Sequence, residues 1–171
     1  GQSLSLRKTD GATDTLLWSL PKTPVPKEGT LFFWFRPQWP SHEVGRKGAR
    51  PLLNFTPFPP IRKWGRLHFS VFHTSAYHIR GRHSVPWGRF WKSNSWHHLA
   101  VSWSADNTQR LYFDGELVAL AEGKPPQHPE GFALSMTGES EMDIDELTLI
   151  SRRLTRSEVE TSYVSGLHAQ N

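Results

Sequence analysis

Trp96-His97-His98-Leu99-Ala100-Val101-Ser102-Trp103 runs through Ala105-Asp106-Asn107-Thr108 into Gln109-Arg110-Leu111-Tyr112-Phe113-Asp114-Gly115-Glu116. Side chains alternate across a β-strand with period two. Leu99, Val101 and Trp103 therefore share one face, and His98, Ala100 and Ser102 the other. Residues 105–108 read as a turn. Asp114-Gly115 is the pair that a two-residue type I′ turn prefers, because both positions need positive φ. Glu116 to Leu120 is then a return strand, and the whole of 96–120 is predicted as a three-strand antiparallel meander.

The same reading extends outward in both directions. Leu4-Ser5-Leu6 and Thr15-Leu16-Leu17-Trp18 read as early edge strands, and Gly29 to Pro37 as a strand apolar enough for burial on both faces. Leu52 to Phe55 is a short strand, and Arg66 to His73 alternates with period two. Residues 74–95 hold no long periodic run and read as excursions around short strands. Phe132 to Met136 and Met142 to Ile150 are the last strands. Thr155-Arg156-Ser157-Glu158 has the spacing of a capping box, so a short helix is expected to about Tyr163. Many short strands at this spacing predict an all-β, two-sheet antiparallel sandwich with a short C-terminal helix.

With 171 residues, 36% hydrophobic and 21% charged, the chain has material for one core and is too apolar for a disordered tail. One domain over residues 1–171 is expected. No stretch approaches 18 apolar residues, so no membrane span is expected. Gly1-Gln2-Ser3-Leu4 shows no signal peptide. The absence of cysteine excludes disulfide scaffolds, cysteine nucleophiles and cysteine-ligated zinc.

Charge is strongly patterned along the chain. Residues 44–105 contain no Asp or Glu, yet carry ten Lys/Arg, six of the nine His and five of the eight Trp. Residues 106–171 reverse this, with five Lys/Arg against twelve acids. An acid-free basic segment of this kind suits an anionic partner. The acidic second half argues against nucleic acid.

Three segments resemble laminin-G-like domains of the concanavalin A-like lectin/glucanase fold. Glu28 to Trp39 is similar to their early aromatic strand, and Trp96 to Trp103 with Leu111 to Glu116 to their central hairpin. Asp143 to Leu149 with Leu154 to Val159 is similar to their closing strand and terminal helical turn. The resemblance implies a jelly roll, and a glycan-binding, protein-binding or spacer role. A module of a longer extracellular protein is expected.

Within that frame, Tyr77-His78-Ile79-Arg80-Gly81-Arg82-His83 and Trp87-Gly88-Arg89-Phe90-Trp91-Lys92 interleave aromatic rings with guanidinium groups. Aromatic faces stack on sugar rings, and guanidinium forks fit carboxylates and sulfates. Tyr77, His78, Arg80, Arg82, Trp87, Arg89 and Trp91 are therefore the candidate ligand residues of a non-catalytic carbohydrate-binding or adhesion module that prefers anionic, uronic-acid or sulfated polysaccharide. Glu141-Met142-Asp143-Ile144-Asp145-Glu146 also resembles the Glu-x-Asp-x-x-Glu signature of laminarinase-type glycoside hydrolases. That alternative, a hydrolase or lyase, uses Glu141 and Glu146 as paired carboxylates. A protein-interaction or spacer domain is the second alternative. Related jelly rolls carry a structural calcium, for which Asp10, Asp14, Asp143 and Asp145 are the candidate ligands. Zinc is not expected, because adjacent His97 and His98 point to opposite faces.

Overall fold

The computed structural model of the chain describes residues 3–10, 12–21, 26–40, 50–57, 67–72, 76–79, 83–86, 91–122, 131–137 and 141–170. Its strands form two six-stranded sheets and a small ribbon. The first sheet is ordered β1 (Leu4–Leu6), β14 (Met142–Ile150), β5 (Gly29–Pro37), β10 (His97–Trp103), β11 (Thr108–Phe113) and β12 (Glu116–Glu122). The second is ordered β4 (Thr15–Pro21), β13 (Gly131–Thr137), β6 (Arg50–Pro57), β7 (Leu67–Phe72), β8 (Ala76–Ile79) and β9 (His83–Pro86). The ribbon pairs β2 (Lys8–Thr9) with β3 (Ala12–Thr13), and α1 spans Arg156–Gln170. Every described pairing is antiparallel.

The meander over 96–120 is present as β10, β11 and β12. Asp114 and Gly115 turn it with φ of 48° and 78°, both positive as the turn type demands. Asn107 takes φ 66° in the other turn, which the Ser104 amide closes by donating to the Thr108 carbonyl.

β5 is buried on both faces, for two different reasons. Leu31, Phe33 and Phe35 pack between the sheets with Leu99, Val101, Trp103, Leu111 and Phe113. Trp34 and Phe32 face the other way, where α1 covers them. Trp34 stacks on Tyr163 at 5.7 Å, and Ala100 and Tyr112 pack with Leu154 and Val159. Each large apolar side chain so buried contributes about 1.5–3 kcal/mol.

The capping box forms as the spacing predicts. The Thr155 amide donates to Glu158 Oε2 at 2.7 Å, and the Glu158 amide donates to Thr155 Oγ1 at 3.3 Å. The hydrogen bond from Arg152, with those from Thr155, holds the Glu158 carboxyl down at about 2.

α1 continues past Tyr163 to Gln170, longer than the sequence suggests. At Gly166 the helix seats directly on the Trp34 indole. A Cβ at that position would lie 2.6 Å from the ring. Alanine normally favours a helix over glycine by about 1 kcal/mol. Here Gly166→Ala is expected to destabilise instead, by about 1–3 kcal/mol of overpacking. A thermal melt reads the sign, and a stabilised variant would mean that α1 is not seated on Trp34.

Candidate functional site

The acid-free segment maps onto neighbouring strands. β6, β7, β8 and β9 stand side by side in the second sheet, and none of their residues is acidic. The other two strands of this sheet, β4 and β13, hold no Asp or Glu either, and Arg50 is the one Lys or Arg among the six. Tyr77 and His78 lie in β8, where Tyr77 pairs with Val71 of β7 and Val85 of β9. His78 pairs with Ser84, and Ile79 with His83. The candidate ligand segment thus includes the edge hairpin of this sheet. Arg80, Arg82, Trp87 and Arg89 lie outside the described residues.

Trp91 corrects the sequence expectation. It is 4% exposed, and its indole N–H donates to the Trp39 carbonyl at 3.1 Å. Its ring packs against Phe35, Trp39, His97 and Phe113. A ring enclosed in this way belongs to the core and offers no face to a sugar. The aperiodic run around it gave no parity from which burial could be read.

The four carboxylates considered for calcium do different work. Asp10 is exposed at the turn of the ribbon. Asp14 is exposed and accepts from the Arg7 amide at 3.0 Å. Asp145 accepts from the Glu146 amide at 2.9 Å. Asp143 is 1% exposed and receives Ser5 Oγ at 2.6 Å, Arg7 Nη2 at 2.6 Å, Arg36 Nε at 2.9 Å and Gln38 Nε2 at 3.1 Å. Two guanidinium groups already balance that charge. Burial alone would raise the Asp143 pKa; the hydrogen bonds from Ser5, Arg7 and Arg36 outweigh it and hold the carboxyl below its ordinary value. Among the described residues no three His, Cys, Asp or Glu gather to hold an ion.

Glu141 and Glu146 both take positive φ, at 45° and 52°. A bulge at Glu146 slips the register between β14 and β5. Glu146 is exposed beside a hollow lined by Phe32, Thr148, Ser162, Ser165 and Gly166. α1 forms one wall of that hollow.

His97 and His98 point to opposite faces, as the alternation requires. His97 Nδ1 lies 2.9 Å from Asp114 Oδ2. His98 is fully buried among Phe32, Trp34 and Tyr163, and among the described residues no group bonds either ring nitrogen. Burial lowers its pKa from 6.5 to about 4, against the opposing pull of Asp114. The unfolded chain binds this proton near pH 6.5, and the folded chain only near 4. The neutral ring's contribution is complete above pH 6.5 and drains away as pH falls toward 4, by about 3 kcal/mol. The melting temperature is expected to fall across that window, and His98→Leu to flatten the fall. An equal slope in both proteins would contradict it.

One surface pair escaped the sequence reading. Arg36 is 38% exposed, and its guanidinium lies 4.9 Å above the Trp96 ring. Trp96 is half-buried and precedes β10. Ser5, Asp143 and Arg36 form one row across β1, β14 and β5, and Trp96 extends it. The missing signal was parity, since Trp96 falls in step with the outer-facing His98.

A family model described as the concanavalin A-like lectin/glucanases superfamily matches residues 10–160. A sequence search of curated proteins found no match. Solved structures share the fold at low identity. The SAP-like pentraxin of Limulus polyphemus superposes with a TM-score of 0.68 at 14% identity, over 93% of this chain and 80% of that one. The ligand-binding domain of botulinum neurotoxin serotype D, in complex with N-acetylneuraminic acid, gives 0.62 at 12%, over 89% and 40%. Trypanosoma rangeli sialidase gives 0.61 at 20%, over 81% and 23%. The chain thus spans less than half of the toxin domain and less than a quarter of the sialidase.

Proposed function

This chain belongs to the concanavalin A-like lectin/glucanases superfamily, and on that premise we propose that it is a non-catalytic carbohydrate-binding module for anionic polysaccharide. The observation that carries the reading is the segment 44–105, with ten Lys/Arg and no Asp or Glu, whose strands β6 to β9 are neighbours in one sheet, with Tyr77 and His78 in β8. Arg80, Arg82 and Arg89 supply planar, always-charged forks for uronate or sulfate, and Tyr77 and Trp87 supply rings that stack on sugars.

A non-catalytic role is supported by the position of Glu146 beside α1, and by Asp143, whose oxygens are engaged by Arg7 and Arg36. Among the described residues no helix is long and apolar enough to cross a membrane. The reading places the module outside the cell, where such polysaccharides are found.

A glycan array of acidic and neutral polysaccharides tests this. Retention is expected on the acidic members, weakening but persisting as salt rises. The screening length falls from about 10 Å at 0.1 M to about 3 Å at 1 M, and stacking is less sensitive to it. Binding to neutral glycans alone, or to none, contradicts the proposal. Turnover of a glycan that is lost in Glu141→Gln contradicts the non-catalytic part.

A further inference from the structure

β12 ends the first sheet, with β11 as its one hydrogen-bonded strand among the described residues, and β9 of the second sheet also approaches it. Its sequence, Glu-Leu-Val-Ala-Leu-Ala-Glu, has no Pro and no Lys, two of the devices that protect an edge from pairing. Leu117 is 42% exposed and Leu120 61%. A third exposed apolar residue, Val164, lies on α1, which touches β12.

A bulge decides which way these side chains face. Leu111 pairs with Ala119 and Tyr112 with Leu117, so Val118 is the extra residue. Val118 and Ala119 pack into the core. Leu117 and Leu120 lie on the opposite face, although three positions separate them.

We infer that this edge joins two copies of the chain, β12 pairing antiparallel with β12 of a second copy about a two-fold axis. Residues directly opposite in an antiparallel pair share a face. Over the length of β12 one register satisfies that rule, with Leu117 opposite Leu120 of the second copy and Val118 opposite its Ala119. A shift of one residue either way sets an inward-packed side chain against an exposed leucine, Ala119 against Leu117 or Val118 against Leu120. It also sets Asp114 or Glu116 against Glu122, and like charges directly opposite are destabilising. The matched register instead places Glu116 opposite Ala121. The two six-stranded sheets then continue as one, and the exposed leucines cover each other.

Sedimentation across a concentration series tests the pairing. The expected mass is twice 19.6 kDa. The double variant Leu117→Glu with Leu120→Glu is expected to sediment as a monomer and still melt cooperatively. The register has its own readout, because the chain has no cysteine. Under mild oxidation, a mixture of Leu117→Cys and Leu120→Cys chains is expected to cross-link. Neither variant alone should, since positions 117 of the two copies are about 10 Å apart along the strands, beyond disulfide reach. A monomeric parent overturns the inference. So does a dimer that survives the glutamate pair, or one that fails to cross-link in the mixture.

Discussion

Asp143→Asn is expected to lower the melting temperature by about 6–12 °C. The carboxylate is 1% exposed and ties three strands together, with Ser5 from β1, Arg36 from β5 and the residue itself in β14. Arg7 and Gln38, just beyond β1 and β5, complete its partners. Removing one member of a buried charge pair costs about 3–5 kcal/mol, because the remaining charge stays in place without its partner. Arg7 and Arg36 are each 38% exposed, so water screens them and the lower end, about 3 kcal/mol, applies. At about 2–4 °C per kcal/mol for a chain of this size, that gives the stated range. The pH dependence has a matching sign. The contribution from Asp143 is complete above its ordinary 3.8 and is lost as pH falls through its lower folded value. His98 therefore weakens the fold first on acidification, and Asp143 follows. A melting temperature unchanged by Asp143→Asn would mean that the two guanidinium groups find equal partners in water.

Arg80→Ala combined with Arg82→Ala is expected to weaken binding to acidic polysaccharide by on the order of a hundredfold. A hydrogen bond to a charged group contributes about 1.5–3 kcal/mol, close to tenfold or more for each arginine. Both residues fall between Ile79 and His83, the pair that ends the β8–β9 ladder. The parent's affinity should also fall more steeply with salt than the double variant's, because the lost contacts are the ionic ones. Equal affinity of parent and double variant for every acidic glycan would make the basic segment a solvated face with no part in binding.

Local signals in the sequence read through to the fold with little loss. Asp114-Gly115 demanded a specific turn, Thr155 to Glu158 a specific cap, and Gly29 to Pro37 a doubly buried strand. In each, residues close in sequence settle the matter by backbone conformation or periodicity. Asp143 was different. Its parity gave a face, but Arg7 and Arg36 reach it from 136 and 107 positions away, and no local pattern encodes that meeting. Trp91 failed for want of periodicity, and the full length of α1 was masked by Gly166, a helix-weakening residue by propensity that allows close approach to Trp34. Of the proposed binding segment, composition made the charge asymmetry visible, and topology added that four of its strands are neighbours. Stacking and ionic contacts with a sugar depend on side-chain positions that strand alternation does not specify.

The most direct test of anionic-glycan recognition is affinity electrophoresis of the parent protein in two gels. One holds an acidic polysaccharide, and the other holds the same polymer after its carboxyl groups have been reduced to alcohols. The backbone, ring faces and linkage are then constant, and charge alone differs. Strong retardation in the acidic gel that collapses in the reduced one is the predicted result; equal migration in both gels would contradict it.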